Sequence, residues 1–167
     1  IQQAMIGRNV GLLHELPDAV LWLLQWNDVS VGHLQAEAAA RGIEPQRLVF
    51  APKVAPADHI ARLQQADLFI DTWPCNAHTT ASDALWAGVP VVTRTGEVFA
   101  SRVAASLVHA VGLGELACAD TATYEARVLA LAADPARRAA LRERLVAART
   151  GSPLFDSARF TRDFEAL

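Results

Sequence analysis

Short apolar runs alternate along this chain with longer Ala- and Leu-rich stretches of helical period, and that alternation predicts the elements. Residues 2–16 read as a helix ended by Pro17. Within 18–26, Ala19-Val20-Leu21-Trp22-Leu23-Leu24 is a near-continuous apolar run, the pattern of a strand covered on both faces. A helix follows over 31–41, with Gly42 where a left-handed C-terminal residue belongs. Strands are expected at 47–51, 67–71 and 89–93, with a short one at 116–118. Helices are expected at 58–65, 80–87, 97–111, 123–133 and 135–149, with a last one from about Ser157 after the Ser152-Pro153 break.

Strand–helix alternation at this spacing means βαβ units, so the reading is α/β: one doubly wound, Rossmann-like domain over 1–167 with a parallel sheet and helices on both faces. In such folds ligands sit at the carboxyl ends of the strands, near the point where strand order reverses. Three loops therefore become candidates: 52–56, 72–79 and 94–96.

Composition changes this picture little. The chain has 167 residues, 52% hydrophobic and 20% charged, enough for a sizeable core and unlike a disordered chain. A formal net charge of −3 argues against general attraction to nucleic acid or an anionic membrane surface. No run is long enough to span a bilayer, and no basic, then apolar leader opens the chain. Beginning at Ile1 inside a helical pattern, the chain reads as a piece with an upstream region missing. Cys75 and Cys118 are too far apart for a zinc site or disulfide framework, and are expected as buried thiols in a reducing cytoplasm.

The segment richest in chemistry is Asp67 to Thr93, in which a strand runs into a polar loop and the loop directly into a helix. Thr79 and Thr80 fall at the helix start, where backbone N–H groups lack intrahelical partners and the helix dipole is positive. With His78 beside them, they suit a pyrophosphate. Asp83 lies one turn along, where a carboxylate can accept two hydrogen bonds from a ribose diol. Thr80-Ala81-Ser82-Asp83 reads equally as a capping box, and His78 as a loop residue bonded to a carbonyl. Asn76 and Thr72 are ordinary turn and strand-end residues. His59 and Arg62 share a helix face, able to meet a base and a carbonyl or phosphate oxygen, or simply solvated. Trp22, Trp26, Trp73 and Trp86 read as core or domain-interface residues. The chain lacks a Gly-rich dinucleotide fingerprint, a Walker loop, a nucleophile elbow and a His-Glu-x-x-His run, which counts against a dehydrogenase, P-loop NTPase, hydrolase or zinc peptidase.

These residues resemble the protein O-GlcNAc transferase family and its bacterial relatives, from about Pro17 to Leu167. The markers are Leu21-Trp22-Leu23-Leu24, Arg47-Leu48-Val49-Phe50, Ala66 to Thr72, Asn76 to Gly88, Gly96 to Ala104, and Ser152-Pro153-Leu154-Phe155. The resemblance implies the C-terminal lobe of a two-lobed GT-B glycosyltransferase, the lobe that binds the UDP of UDP-GlcNAc. It implies that His59 stacks on uracil, that Arg62 lies near the base and that the Ala55 backbone contacts it. On the same footing, His78, Thr79 and Thr80 hold the diphosphate and Asp83 the ribose. The family's donor site calls for no metal and no other cofactor. Its inverting transfer goes to a Ser or Thr hydroxyl of an acceptor protein, with the catalytic base expected outside this chain.

Two departures stand out. Ala57 occupies a position where the family carries a lysine that helps hold the nucleoside. The only lysine is Lys53, so the family's diphosphate-binding lysine is missing. The N-terminal catalytic lobe and the tetratricopeptide repeats are missing as well, and the isolated chain is expected to bind UDP weakly and transfer nothing. Rival readings are a SPINDLY-like O-fucosyltransferase lobe that uses GDP-fucose, and a non-catalytic nucleotide-binding module. His78-Thr79-Thr80 and Asp83 favour UDP-GlcNAc over the first, which tends to carry Thr-Thr-Thr and Glu at these positions.

Overall fold

The structure is a computed structural model that describes residues 2–166, with side chains from Asn9 onward. Ile1 and Leu167, where the sequence reading begins and ends, lie outside the described residues. The elements run α1 (Gln2–Glu15), β1 (Leu21–Leu24), α2 (Asp28–Ala40), β2 (Leu48–Ala51), α3 (Pro56–Leu63), β3 (Phe69–Ile70), α4 (Thr79–Ala87), β4 (Val91–Arg94), α5 (Val103–Ala110), β5 (Ala117–Cys118), α6 (Thr121–Ala132), α7 (Pro135–Ala148) and α8 (Ser157–Glu165). This is the expected α/β alternation. Every recorded strand pairing is parallel: β1 with β2, β3 with β4, and β4 with β5. Parallel neighbours require a crossover, which each intervening helix supplies. The chain divides into two compact units, Ile1–His59 and Ile60–Leu167.

The first unit is built on β1 and β2, in register from Leu21 opposite Leu48 to Leu24 opposite Ala51. Its core holds Val10, Leu13, Leu21, Ala38, Ile43 and Leu48. Asn27 caps α2 by accepting the Ser30 amide at 2.8 Å, which satisfies one donor that the first turn leaves unpaired. Gly42 ends that helix at φ +73°, as its position predicted. The Arg47 guanidinium donates to the carbonyls of Leu13 (3.0 Å), Leu16 (2.5 Å) and Ala19 (2.9 Å), tying β2 to the end of α1 and the turn that follows it.

The second unit carries the sheet β3-β4-β5. β4 is its spine: Val91, Val92 and Thr93 are all buried, as a strand flanked on both sides requires. Around it pack Ala81, Ala84 and Leu85 of α4, Ala104 and Val108 of α5, and Tyr124 and Leu131 of α6, while α7 buries Leu141 and Leu145 and packs against α4 and α6. α4 ends at Gly88, φ +87°, with Val89 N–H donating back to Ala84 O at 2.8 Å. Aspartates cap the later helices: Asp120 accepts the Thr123 amide, Asp134 the Arg137 amide and Asp156 the Arg159 amide.

Three expectations are corrected. The helix expected over 97–111 begins only at Val103. Residues 96–101 close a tight turn instead, with Gly96 N–H donating to Ser101 O at 2.7 Å and a 3₁₀ turn over Phe99–Ser101. Of the core-or-domain-interface reading of the tryptophans, the core half is overturned: Trp26 is 77% exposed, Trp22 and Trp86 are exposed, and Trp73 is half-buried. Cys118 is buried as expected, but Cys75 is exposed on the 72–78 loop.

Candidate functional site

The second unit places its polar groups at the carboxyl ends of β3 and β4, where a parallel sheet directs its loops. Asp71 follows β3 and is fully buried. Its amide donates to Val92 O at 3.0 Å, and its carbonyl accepts the Tyr124 hydroxyl of α6 at 3.1 Å. Oδ1 of its carboxylate accepts the amides of Thr72 and Ala77, each at 2.7 Å. Oδ2 accepts the Thr93 hydroxyl of β4 at 2.6 Å. Burial pushes the Asp71 carboxyl above its ordinary range, and outweighs these donors and the nearby His78, all of which act in the opposite direction. The Tyr124 hydroxyl is likewise pushed up, by burial first and then by the neighbouring Asp71 charge.

Between its two anchored amides the loop closes on itself. Thr72 Oγ1 donates to Cys75 O, and Asn76 Nδ2 donates to Thr72 O, both at 2.8 Å. The Asn76 amide donates to Ala100 O at 2.7 Å, tying this loop to the turn after β4. Asn76 is therefore more than a turn residue: it is buried, and its Oδ1 has no protein partner. The Trp73-Pro74 peptide in the loop is cis. Trp73 packs edge-on against Tyr124 at 4.9 Å and carries the Arg94 guanidinium over its ring at 5.5 Å.

The loop delivers the chain to α4 at an N-cap of His78, whose side chain makes no capping hydrogen bond. The capping box open to Thr80 and Asp83 is thus not formed, because the helix starts one residue earlier, at Thr79. The carbonyl of His78 accepts from the amides of Ala81 and Ser82, each at 3.1 Å, so α4 is well formed from its first turn. His78, Thr79 and Thr80 are exposed there. Asp83 is half-buried one turn further on, and its spacing from Thr79 and Thr80 puts all three on one helix face. The exposed ring of Phe99 meets the His78 ring edge-on at 5.9 Å. Exposed hydroxyls, a ring nitrogen and first-turn amides at the positive end of a helix form an arrangement that accepts an anion.

Ala55, His59 and Arg62 are placed on and before α3. Ala55 is exposed, and its carbonyl accepts the His59 amide at 2.9 Å. His59 and Arg62 are half-buried, three residues apart and so on one helix face.

Sequence reading missed Asp71, Thr93, Tyr124 and Phe99. Asp71 looked like a strand end and Thr93 like one more β-branched strand residue. Tyr124 is 53 positions from Asp71, and being the only tyrosine of the chain was its only signal.

Comparison with known proteins bears on the whole chain. A family model described as glycosyl transferase family 41 matches residues 1–164. A UDP-N-acetylglucosamine–peptide N-acetylglucosaminyltransferase of Caenorhabditis elegans is 37% identical over 167 residues, 100% of this chain and 14% of that protein. The probable transferase SEC of Arabidopsis thaliana is 37% identical over 155 residues, 92% of this chain and 16% of that protein. A probable transferase of the SPINDLY type from Solanum lycopersicum is 36% identical over 127 residues, 75% of this chain and 14% of that protein. Among solved structures, a mutant O-GlcNAc transferase of Thermobaculum terrenum superposes with a TM-score of 0.90 at 31% identity, covering 96% of this chain and 32% of that one. The chain therefore spans a minor part of each relative.

Proposed function

From the premise that this chain belongs to glycosyl transferase family 41, we propose that it is the donor-binding lobe of an inverting UDP-GlcNAc-dependent protein O-GlcNAc transferase. The observation that carries this reading is the start of α4, where His78, Thr79 and Thr80 stand exposed at a helix end that no side chain caps. In the proposed complex the donor diphosphate lies against these residues, and Asp83 holds the ribose diol. Ala55, His59 and Arg62 supply the uracil contacts.

Chemically, transfer to a Ser or Thr hydroxyl breaks the bond between the sugar and the diphosphate, so negative charge grows on the leaving UDP. Fixed N–H dipoles and hydroxyl donors bind that developing charge more strongly than they bind the intact donor, which lowers the barrier. On this reading the donor site uses no metal and no further cofactor. An N-terminal catalytic lobe supplies the acceptor side, and the setting is cytoplasmic. Among the described residues, no helix is long and apolar enough to cross a membrane.

Titration calorimetry of the chain with UDP, UDP-GlcNAc and GDP tests the proposal. UDP is expected to bind in preference to GDP, and Asp83→Ala and His59→Ala each to weaken it by about tenfold, the equivalent of about 1.4 kcal/mol. Tighter binding of GDP would transfer the chain to the GDP-fucose reading, which the similarity to the SPINDLY-type protein keeps in view. Binding that neither substitution affects would remove these residues from the site and leave the module reading.

A further inference from the structure

The buried carboxylate beneath the 72–77 loop has a geometry that a core residue does not need. Asp71 is fixed on both sides of its backbone, through Val92 O and the Tyr124 hydroxyl, so its side chain has little freedom. Every partner shown for the carboxylate is a donor: the Thr72 amide, the Ala77 amide and the Thr93 hydroxyl. Both amides converge on the same oxygen, one from the first loop residue and one from the last but one before α4. A buried carboxylate is costly to desolvate, and a stable core rarely keeps one without a local reason. The reason visible here is that Ala77 immediately precedes His78. Whatever holds the Ala77 amide sets where His78, Thr79 and Thr80 emerge.

We propose that Asp71 is a positioning residue for the donor diphosphate, holding the Ala77 amide so that His78, Thr79 and Thr80 are presented in binding geometry before the ligand arrives. The inference rests on the donor-lobe reading of the α4 start and deepens it. It makes the diphosphate contacts preorganised, so that binding does not have to order the loop. Asp71 acts through the loop and touches no ligand. An amide side chain keeps one acceptor oxygen for Thr72 and Ala77, while the Thr93 hydroxyl turns to accept from the new NH₂ group. An alanine keeps nothing.

The test compares UDP affinity by calorimetry and amide exchange over residues 72–80 in the unsubstituted full chain, Asp71→Ala, Asp71→Asn and Leu145→Ala. Leu145 is fully buried on α7, and its truncation destabilises the second unit without touching the loop. Asp71→Ala is expected to lose about tenfold or more in UDP affinity and to exchange faster at 72–80. Asp71→Asn is expected to stay within about threefold of the parent, which is rescue by the conservative variant. Leu145→Ala is expected to lower the thermal midpoint and leave UDP affinity unchanged. Parental affinity in Asp71→Ala overturns the proposal, and so does an affinity loss in Leu145→Ala that matches its stability loss. If Asp71→Ala does not fold, Asp71→Ser, whose hydroxyl is one atom too short to hold the Thr72 and Ala77 amides, takes its place, and parental UDP affinity there overturns the proposal. An unsubstituted chain that binds no UDP overturns the donor reading itself and this inference with it.

Discussion

At the residue scale, the chemistry is concentrated in one carboxylate that burial and hydrogen bonding pull in opposite directions. Because burial wins, the folded Asp71 carboxyl titrates above its ordinary range. The folded state then holds a proton that the unfolded chain has released, so stability falls with rising pH across that interval. Asp71's contribution is complete below the unfolded value and is lost as pH rises through the folded one. Asp71→Asn cannot titrate and escapes this loss. Denaturant unfolding at several pH values is expected to show the stability difference between variant and parent moving in favour of Asn as pH rises from about 4 to 7. A difference that is flat across this range, or moves the other way, would contradict the burial argument. The placement of His78, Thr79, Thr80 and Asp83 at a helix start was legible in the sequence, because residue type and offset from a helix start are local properties. Asp71's role was not, because its partners Thr93 and Tyr124 come from other elements and are brought to it only by the packing of β4 and α6.

At the scale of elements, the turn after β4 is set by a glycine for reasons of space. A Cβ at Gly96 would fall 2.2 Å from Ser101 Oγ and 2.6 Å from Ser101 Cβ, and the latter is not a flexible side-chain end that can swing away. Arg102 adds a hydrogen bond to Gly96 O at 3.1 Å, and the Asn76 amide reaches Ala100 O in the same turn. Gly96→Ala must therefore open a turn that also braces the 72–77 loop. It is expected to cost about 1–3 kcal/mol in denaturant unfolding and to weaken UDP binding as well. Parental UDP affinity in a destabilised Gly96→Ala would show that the two loops are independent. The helix expected over 97–111 runs through this turn. The Gly96–Ser101 contact, a tertiary constraint over five residues, delays the helix to Val103.

At the scale of the molecule, apolar surface remains uncovered in both units. Trp22, Trp26 and Val49 are exposed in the first. In the second, Phe160 and Phe164 stack at 6.0 Å on α8, beside a cleft of about 280 Å³ that they line with Pro153 and Asp163. The proposed donor binds only the folded chain, so ligand and fold are linked. UDP at about 100 times its dissociation constant is expected to stabilise the folded chain by about 2.7 kcal/mol, read as a rise in its unfolding midpoint. No rise at that concentration, with binding seen by calorimetry, would mean that UDP binds the unfolded chain equally well.

The sequence by itself determined the α/β alternation, the parallel strand class, the helix end at Gly42, and the candidate residues at the start of α4. All of these follow from short-range rules: periodicity, φ preference, and the unpaired amides of a first helical turn. Tertiary structure alone decided which buried group holds that helix start, where the turn after β4 closes, and that the tryptophans stay at the surface. The first and the last depend on atoms that the chain brings together across several elements, and the turn on a close contact between Gly96 and Ser101; none of these leaves a hydrophobic period in the sequence to read.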